Sequence, residues 1–275
     1  ERENLREQVA SLRGGLIASG IGDGDRVAIV CGNDRFFVLS YLAIIGIGAV
    51  AVPLNPMSPA HELERELAAV TASAVIVGAA AASVWADIDR TSVPSLRTVI
   101  VAEGELPADA VAIDALLEAE PVPIVDIEPD HLAVMMFTSG TAGPPKAAMI
   151  SHRNLLANIE QSLSARDHSR ADDVVYGVLP LFHIFGLNVV LGVSFTVGAT
   201  VVLVQRFDPM TAVESIRQRR ITIVPGAPPM WIAFAHFDEL PADAFATVRL
   251  AFSGASRLAP VISERFEQRY GVSIR

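Results

Sequence analysis

The sequence has little cysteine and an unfavourable charge for binding nucleic acid. Cys31 is the only cysteine among 275 residues, so no disulfide framework can form, which favours a reducing compartment. Because it ends an apolar run, we interpret it as a small buried hydrophobic residue. Lys and Arg number 21 against 31 Asp and Glu, and the net charge is −10. Nucleic-acid binders need clustered cations to neutralise phosphates, so that class is disfavoured.

The sequence also lacks an unbroken membrane-spanning run. Two long uncharged segments, 36–54 and 174–205, are each interrupted by Gly and Pro, and neither has a convincing Lys/Arg anchor. We interpret each as a helix followed by a strand inside an α/β protein; a membrane protein remains a distant alternative. The charged opening residues 1–4 do not resemble a signal peptide. We therefore expect a cytoplasmic location, with peripheral membrane contact left open.

Three common functional signatures are missing as well. No Ser lies in a G-x-S-x-G nucleophile elbow, and no His, Cys and carboxylate cluster has metal-ligand spacing. The glycines at 20–24 precede the first predicted strand instead of following it, so they are not a dinucleotide fingerprint. These absences disfavour serine hydrolases, metal sites built from such clusters, and Rossmann dehydrogenases.

What the sequence does contain is an alternation of β-rich runs with helical spacing. At 51% hydrophobic and 19% charged residues, the chain can bury a sizeable core. The alternation predicts an α/β fold with a largely parallel sheet. Predicted strands cover 26–30, 48–54, 74–77, 98–101, 133–137, 149–150, 174–179, 199–204, 221–224 and 248–252. Predicted helices cover 5–19, 33–45, 61–70, 151–165, 187–195, 210–219 and 230–237. The acidic, proline-bearing segment 102–130 is predicted to be a crossing connection.

One loop, residues 138–146, carries the chemistry needed to hold a polyphosphate. It follows the predicted strand 133–137 and combines three hydroxyl residues, two glycines and one lysine. Free backbone N–H groups, hydroxyls and a positive charge are suited to phosphate oxygens. The loop is not a P-loop, because its glycines are too close together and Ala147, not Ser or Thr, follows Lys146. From composition alone, an ordinary Gly/Pro-rich turn is an equal alternative.

Three further loops follow predicted strands of the same sheet. They are 180–186, which contains His183; 225–230, which is rich in Pro and Gly; and 253–258, which begins Ser-Gly-Ala-Ser. Taken alone, His183 is more simply a core histidine. Because parallel strands present their carboxyl ends at one edge of the sheet, four such loops together predict a binding site there.

In this order, the motifs resemble those of adenylate-forming enzymes. Residues 137–146 followed by Ser-His-Arg-Asn-Leu at 151–155 resemble the family signature, 180–186 its second motif and 253–256 its adenine-binding loop. The upstream segments 24–28 and 48–56 also match, so the resemblance covers nearly the whole chain. Within the superfamily, 180–188 and 206–209 look most like bacterial long-chain fatty-acyl-CoA ligases.

The resemblance implies ATP-dependent activation of a carboxylic acid, with a fatty acid as the expected substrate. The carboxylate would attack the α-phosphorus, pyrophosphate would leave, and the thiol of coenzyme A would then capture the acyl-adenylate. The implied phosphate cradle is Thr138, Ser139, Gly140, Thr141, Gly143 and Lys146, with Thr138 also helping to hold Mg²⁺. The implied adenine loop is Ser253, Gly254, Ala255 and Ser256. The implied acyl contacts are Phe182, His183, Gly226 and Met230, and the implied catalytic residues are Lys146 and His183. Such a reaction needs positioning and charge neutralisation more than a protein nucleophile.

Several positions depart from the family pattern. Ala142 stands where the family usually has Thr, Ala147 where it usually has Gly, and Arg257 where it usually has Pro. The replacement at Ala142 removes one hydroxyl from the implied phosphate cradle. In family members, a Mg²⁺-binding Glu and a catalytic Lys lie in segments that follow the position equivalent to Arg275.

The resemblance also implies a domain organisation. We expect a truncated N-terminal large domain of interleaved α/β subdomains, residues 33–172 forming one and residues 1–32 with 173–275 the other, without the C-terminal small domain. We therefore expect these 275 residues to bind nucleotide weakly and to be inactive alone. Carboxylate-dependent exchange of labelled pyrophosphate into ATP at a normal family rate would contradict this expectation.

Two functional alternatives stay open from the sequence. The chain could belong to a fatty-acyl-AMP ligase that loads an acyl carrier protein, or it could be a short paralogue that binds ATP without turnover. Acyl chain length, an aryl or alkyl acid, and oligomeric state are not indicated by the sequence.

Overall fold

The computed structural model describes residues 2–105, 107–138 and 146–275. Its α-helices are α1 Arg2–Ala18, α2 Arg35–Ile45, α3 Ala60–Ala69, α4 Ala82–Trp85, α5 Ile113–Leu117, α6 His152–Leu163, α7 Val193–Val197, α8 Pro209–Gln218, α9 Pro228–His236 and α10 Pro260–Tyr270. A π-helix, Phe185–Gly192, leads directly into α7, and short 3₁₀ turns cover Ala79–Ala81 and Arg90–Ser92. The strands are β1 Arg26–Val30, β2 Val50–Pro53, β3 Ala74–Val77, β4 Thr98–Val101, β5 Val111–Ala112, β6 Leu132–Phe137, β7 Ala147–Ser151, β8 Val174–Gly177, β9 Thr200–Leu203, β10 Ile223–Gly226 and β11 Leu250–Ser253.

The first of two compact units, Glu1–Leu155, contains a seven-stranded sheet. The strand order is β5-β4-β3-β1-β2-β6-β7, and every pair is parallel except the antiparallel hairpin of β6 and β7. The strands β1 to β4, which are rich in Val, Ile and Ala, are buried on both faces, as expected for parallel strands covered by helices. Asp34 caps α2 by accepting a hydrogen bond from the Phe37 N–H at 3.0 Å.

The second unit, Leu156–Arg275, contains a parallel four-stranded sheet in the order β11-β10-β8-β9. Its core includes an aromatic cluster in which ring centroids of neighbouring members lie 4.8–6.5 Å apart. The cluster consists of Trp231, Phe234, Phe245, Phe266 and Tyr270. Such packing contributes both buried apolar area and favourable ring geometry.

A polar clamp holds the amino ends of three strands of this sheet. Asp173, Thr222 and Arg249 lie next to the first residues of β8, β10 and β11 respectively. Arg249 donates from Nε to Asp173 Oδ1 at 2.7 Å and from Nη2 to Oδ2. Thr222 Oγ1 also donates to Asp173 Oδ1, at 2.7 Å. The clamp fixes the sheet at the edge opposite the carboxyl-end loops of these strands.

The sequence predictions of strand position are largely confirmed. The bounds of β1, β3 and β4 match the predictions, and the sheets are mainly parallel. Four regions differ: the predicted connection 102–130 contains β5 and α5, the predicted helix 187–195 is a π-helix running into α7, and neither α4 nor α10 was predicted. The segment 102–130 is acidic and broken by prolines, which hid its short elements.

The predicted placement of residues 1–32 was wrong. We expected them to join residues 173–275, but β1 pairs with β2 and β3 inside the seven-stranded sheet. The boundary between the compact units falls after residue 155 instead of 172. Strand order depends on long-range pairing, which the local pattern around β1 does not encode.

The two uncharged segments that raised the membrane alternative form short elements in the structure. Residues 36–54 form most of α2 and then β2, and residues 174–205 contain β8, the π-helix, α7 and β9. Among the described residues, no helix is long and apolar enough to cross a membrane.

Candidate functional site

In the first unit, the predicted phosphate loop closes the β6–β7 hairpin. Phe137 pairs with Ala147, and the Thr138 N–H donates to the Lys146 carbonyl at 3.3 Å. Both Thr138 and Lys146 are exposed, so a hydroxyl residue and an ammonium residue flank the neck of the loop. Lys146 is also the only lysine in the chain. The remaining predicted cradle residues lie outside the described residues: Ser139, Gly140, Thr141 and Gly143.

In the second unit, His183 lies in a turn between β8 and the π-helix. The backbone N–H of His183 donates to the Pro180 carbonyl at 3.1 Å. The backbone carbonyl of His183 accepts from the Leu187 N–H at 2.9 Å. The rings of Phe182 and His183 contact each other at a centroid distance of 4.7 Å. The His183 side chain is exposed, which contradicts the simple alternative of a core histidine.

The imidazole of His183 is disfavoured in its charged form. Desolvation by surrounding protein atoms lowers the pKa of His183 below its usual value of about 6.5. The side chain is therefore neutral at pH 7, with one ring nitrogen donating and the other accepting.

This pKa predicts a measurable titration. The His183 ring should titrate with a midpoint below about pH 6.5, because protonation places a positive charge where surrounding protein atoms partly exclude water. The pKa of His183 is lower in the folded state than in the unfolded state. The unfolded chain therefore binds the proton first, and the free energy of unfolding decreases as pH falls below the pKa of the unfolded state. Imidazole NMR signals, assigned with His183→Gln, measure the midpoint, and a value above 6.5 would contradict the assignment.

Phe185 joins the His183 turn to the loop after β11. Its ring lies 6.0 Å from that of Phe252, centroid to centroid. A Cβ atom added to Gly254 would lie only 2.4 Å from the Phe185 ring, so no larger residue fits without displacing it. The Gly254 N–H also donates to the Gly226 carbonyl at 3.0 Å. Three of the four loops singled out from the sequence therefore meet through direct contacts. The fourth, 138–146, follows β6 of the seven-stranded sheet, so the prediction that all four loops end strands of one sheet was wrong.

The ends of β10 and β11 form the floor of this region. Gly226 pairs directly with Ser253, and the indole of Trp231 occupies the space where a side chain at Gly226 would lie. Met230 is buried beside it in the core of the unit. Ala255, which follows Gly254, has φ +68°, a conformation that non-glycine residues rarely adopt.

The loop after β11 exposes Ala255 and Ser256. Backbone strain held in place by surrounding structure is more frequent at ligand sites than elsewhere. The second unit thus gathers an exposed neutral imidazole, a small-residue loop and a close-packed floor at the carboxyl ends of parallel strands, where ligands bind in open α/β sheets.

Sequence reasoning missed two residues that shape this region. Phe185 lies in the segment 180–186 and Trp231 directly follows Met230, but the sequence predicted no role for either. The sequence offered a signal for both, since each large aromatic ring is matched by a glycine, Gly254 and Gly226 respectively. Within the described residues, no three His, Cys, Asp or Glu side chains are grouped to hold a metal ion.

Comparison with known proteins finds a consistent set of similar proteins. The family model "AMP-binding enzyme" matches residues 3–275. A 4-coumarate–CoA ligase of Oryza sativa subsp. japonica is 30% identical over 268 residues, covering 92% of this chain and 46% of that protein. A long-chain-fatty-acid–CoA ligase of Bacillus subtilis (strain 168) is 28% identical over 283 residues, covering 93% of this chain and 50% of that protein.

A solved structure has the same fold. The ATP-bound MatB of Rhodopseudomonas palustris superposes with a TM-score of 0.85 at 25% identity, covering 98% of this chain and 52% of that one. The chain spans about half the length of the curated relatives it matches.

Proposed function

Because the chain belongs to the AMP-binding enzyme family, we propose that it serves in the ATP-dependent activation of a carboxylic acid as an acyl-adenylate. Coenzyme A is the proposed acceptor of the acyl group in the whole protein. The observation that supports the proposal is the packing of Phe185, two residues after His183, against Gly254, because these segments are the ones proposed to bind the acid and the adenine. The relatives are described as acid–CoA ligases, in agreement with this reaction class.

In this proposal, each described residue has a role suited to its position. Gly254, Ala255 and Ser256 bind the adenine together with the backbone of Ser253, and their small side chains leave room for it. Neutral His183 donates a hydrogen bond to the reacting carboxylate or α-phosphate without adding a fixed charge. Phe182, Gly226 and Met230 contact the acyl group. Acceleration then arises from positioning and electrostatic stabilisation of developing charge.

The phosphates are assigned to the hairpin loop. Thr138 and Lys146 at its neck, with Ser139, Gly140, Thr141 and Gly143 between them, would bind the β and γ phosphates. Mg²⁺ would be held mainly by phosphate oxygens, with the Thr138 hydroxyl as a protein ligand, because hard cations prefer oxygen donors. Lys146 would neutralise charge on the departing pyrophosphate.

The substrate class has two candidates. A fatty acid is proposed from the motifs at 180–188 and 206–209 and from the similarity to the Bacillus subtilis ligase. An aryl acid is favoured by the 30% identity with 4-coumarate–CoA ligase over nearly the whole chain. An acyl carrier protein is an alternative to coenzyme A as the acceptor of the acyl group. This alternative does not change the adenylation step.

Lys146 offers a direct test of nucleotide binding. It is the only lysine, so an amine-reactive reagent modifies Lys146 and otherwise only the chain's α-amino group. We expect Mg²⁺–ATP to protect Lys146, while labelling of the α-amino group stays constant and serves as an internal control. Mass spectrometry of the two peptides measures both rates. Equal labelling of Lys146 with and without millimolar Mg²⁺–ATP would contradict the proposed phosphate site.

A further inference from the structure

Three polar side-chain atoms in the second unit are buried without a hydrogen-bond partner among the described residues: Oη of Tyr176, Nε1 of Trp231 and Oγ of Ser253. Trp231 Nε1 and Ser253 Oγ are the two that lie at the ends of β10 and β11. Trp231 is completely buried, with 0% of its surface exposed. Leaving such a group unpaired costs about 1–3 kcal/mol. A missing partner from outside the chain is therefore the natural explanation.

The two atoms belong to the same face of the sheet. The indole edge that includes Nε1 lies against Gly226, 2.8 Å from where its Cβ would be. Gly226 pairs in register with Ser253, and directly paired residues on parallel strands point to the same side. Phe252, one residue earlier, points to the opposite side, where it contacts Phe185.

The backbone around this pair is already engaged. The Gly226 carbonyl accepts from the Gly254 N–H at 3.0 Å, and the Ser253 N–H donates to the Arg275 carbonyl at 2.7 Å. An indole N–H can only donate, whereas a hydroxyl can donate or accept. Both can donate on the same side of the sheet, which suits an acceptor oxygen.

We propose that Trp231 Nε1 and Ser253 Oγ form a polar subsite for an oxygen atom of the acyl group. The substrate is then a carboxylic acid that carries a hydroxyl, ether or keto oxygen, not an unsubstituted hydrocarbon chain. This inference rests on the proposed function, which places the acyl group against Gly226 and Met230. A hydrocarbon bound there would leave both buried polar atoms unpaired, and sites built for an oxygen reject analogues that lack it.

Matched pairs of acyl sulfamoyladenosines test the subsite. The two members of each pair differ by one hydroxyl, and the hydroxyl is moved along the acyl group from pair to pair. At one position we expect the wild-type chain to bind the hydroxylated member at least about tenfold more tightly, a difference of about 1.4 kcal/mol. Trp231→Phe and Ser253→Ala should each reduce this preference, because each removes one polar atom. Phe266→Leu is the control: it loosens the same aromatic cluster without removing a polar atom and should keep the preference.

A second readout uses the unmodified chain. Its two tryptophans, Trp85 and Trp231, give two indole N–H signals in a ¹⁵N-labelled sample, and Trp85→Phe assigns them. The Trp231 signal should shift with the hydroxylated ligand and not with its partner. The inference would be overturned if the chain showed no preference for a hydroxylated analogue at any position and the Trp231 indole signal were the same with both members of every pair. The polar pair would then hold only water. Sulfamoyladenosine without an acyl group separates the two claims: if it also fails to bind, the proposed function falls as well.

Discussion

Arg249→Ala is expected to lower the free energy of unfolding of the second unit by about 3 kcal/mol. Asp173 is 3% exposed at its side chain and would remain buried without its charged partner. Its other hydrogen bonds, from Thr222 Oγ1 and the Arg170 N–H, do not carry a full positive charge. Since the clamp spans β8, β10 and β11, the loss affects the strands that position the site.

Urea denaturation measures this loss. Trp231 fluorescence in a Trp85→Phe background reports the second unit, because Trp85 lies in the first. Arg217→Ala is the matched control, since Arg217 pairs with Asp243 at 3.4 Å on the exposed surface and such pairs contribute little. Equal small effects of both substitutions would show that the clamp is not a stabilising element.

The clamp also predicts a pH dependence. Burial opposes ionisation of Asp173, but hydrogen bonds from Arg249, Thr222 and the Arg170 N–H outweigh it and lower the pKa. A lowered carboxyl pKa contributes stability that is complete above the unfolded value, about 3.9, and is lost as pH falls through the folded value. The stability difference between wild type and Arg249→Ala should therefore shrink below pH 4, and an unchanged difference at pH 2 would contradict this.

Gly254→Ala is expected to weaken binding of an acyl-adenylate analogue by at least about tenfold and to destabilise the second unit by about 1–3 kcal/mol. The added Cβ would lie 2.4 Å from the Phe185 ring, so the ring must move. Phe185 begins the π-helix two residues after His183, and its displacement therefore shifts the His183 turn.

A double substitution distinguishes this contact from a general effect of alanine. Phe185→Leu in the Gly254→Ala background should recover part of the lost affinity, because the smaller side chain leaves room for the Cβ atom. Gly22→Ala is the control: a Cβ there meets nothing within 4 Å. Calorimetric titration measures the affinities, and purely additive losses would show that Phe185 and Gly254 do not act together.

The sequence predicted much of the fold because local signals are strong in it. Runs such as 26–30, apolar after Arg26, and 74–77 are bounded by turn residues and form strands with those bounds. The loops at 138–146, 180–186 and 253–258 were likewise visible as small-residue segments after strands. What local patterns could not provide was strand order, and the placement of β1 failed for that reason.

The contacts that shape the candidate site were also hidden in the sequence. Arg249 and Asp173 are 76 positions apart, and they meet only because β8, β10 and β11 lie in one sheet. The pairing of Phe185 with Gly254, and of Trp231 with Gly226, depends on that same order. The roles of such residues follow from the three-dimensional arrangement, whereas their types alone suggest only core packing.

The central claim is that the chain binds an acyl-adenylate through the loops at the ends of β8, β10 and β11. Calorimetric titration of the folded chain with acyl sulfamoyladenosines, alkyl and aryl, tests it most directly. We predict saturable binding with a Kd below about 1 mM, equivalent to about −4 kcal/mol, that is competed by ATP and weakened by Gly254→Ala. Absence of saturable binding by every analogue at millimolar concentration, in a sample shown to be folded, would contradict the claim.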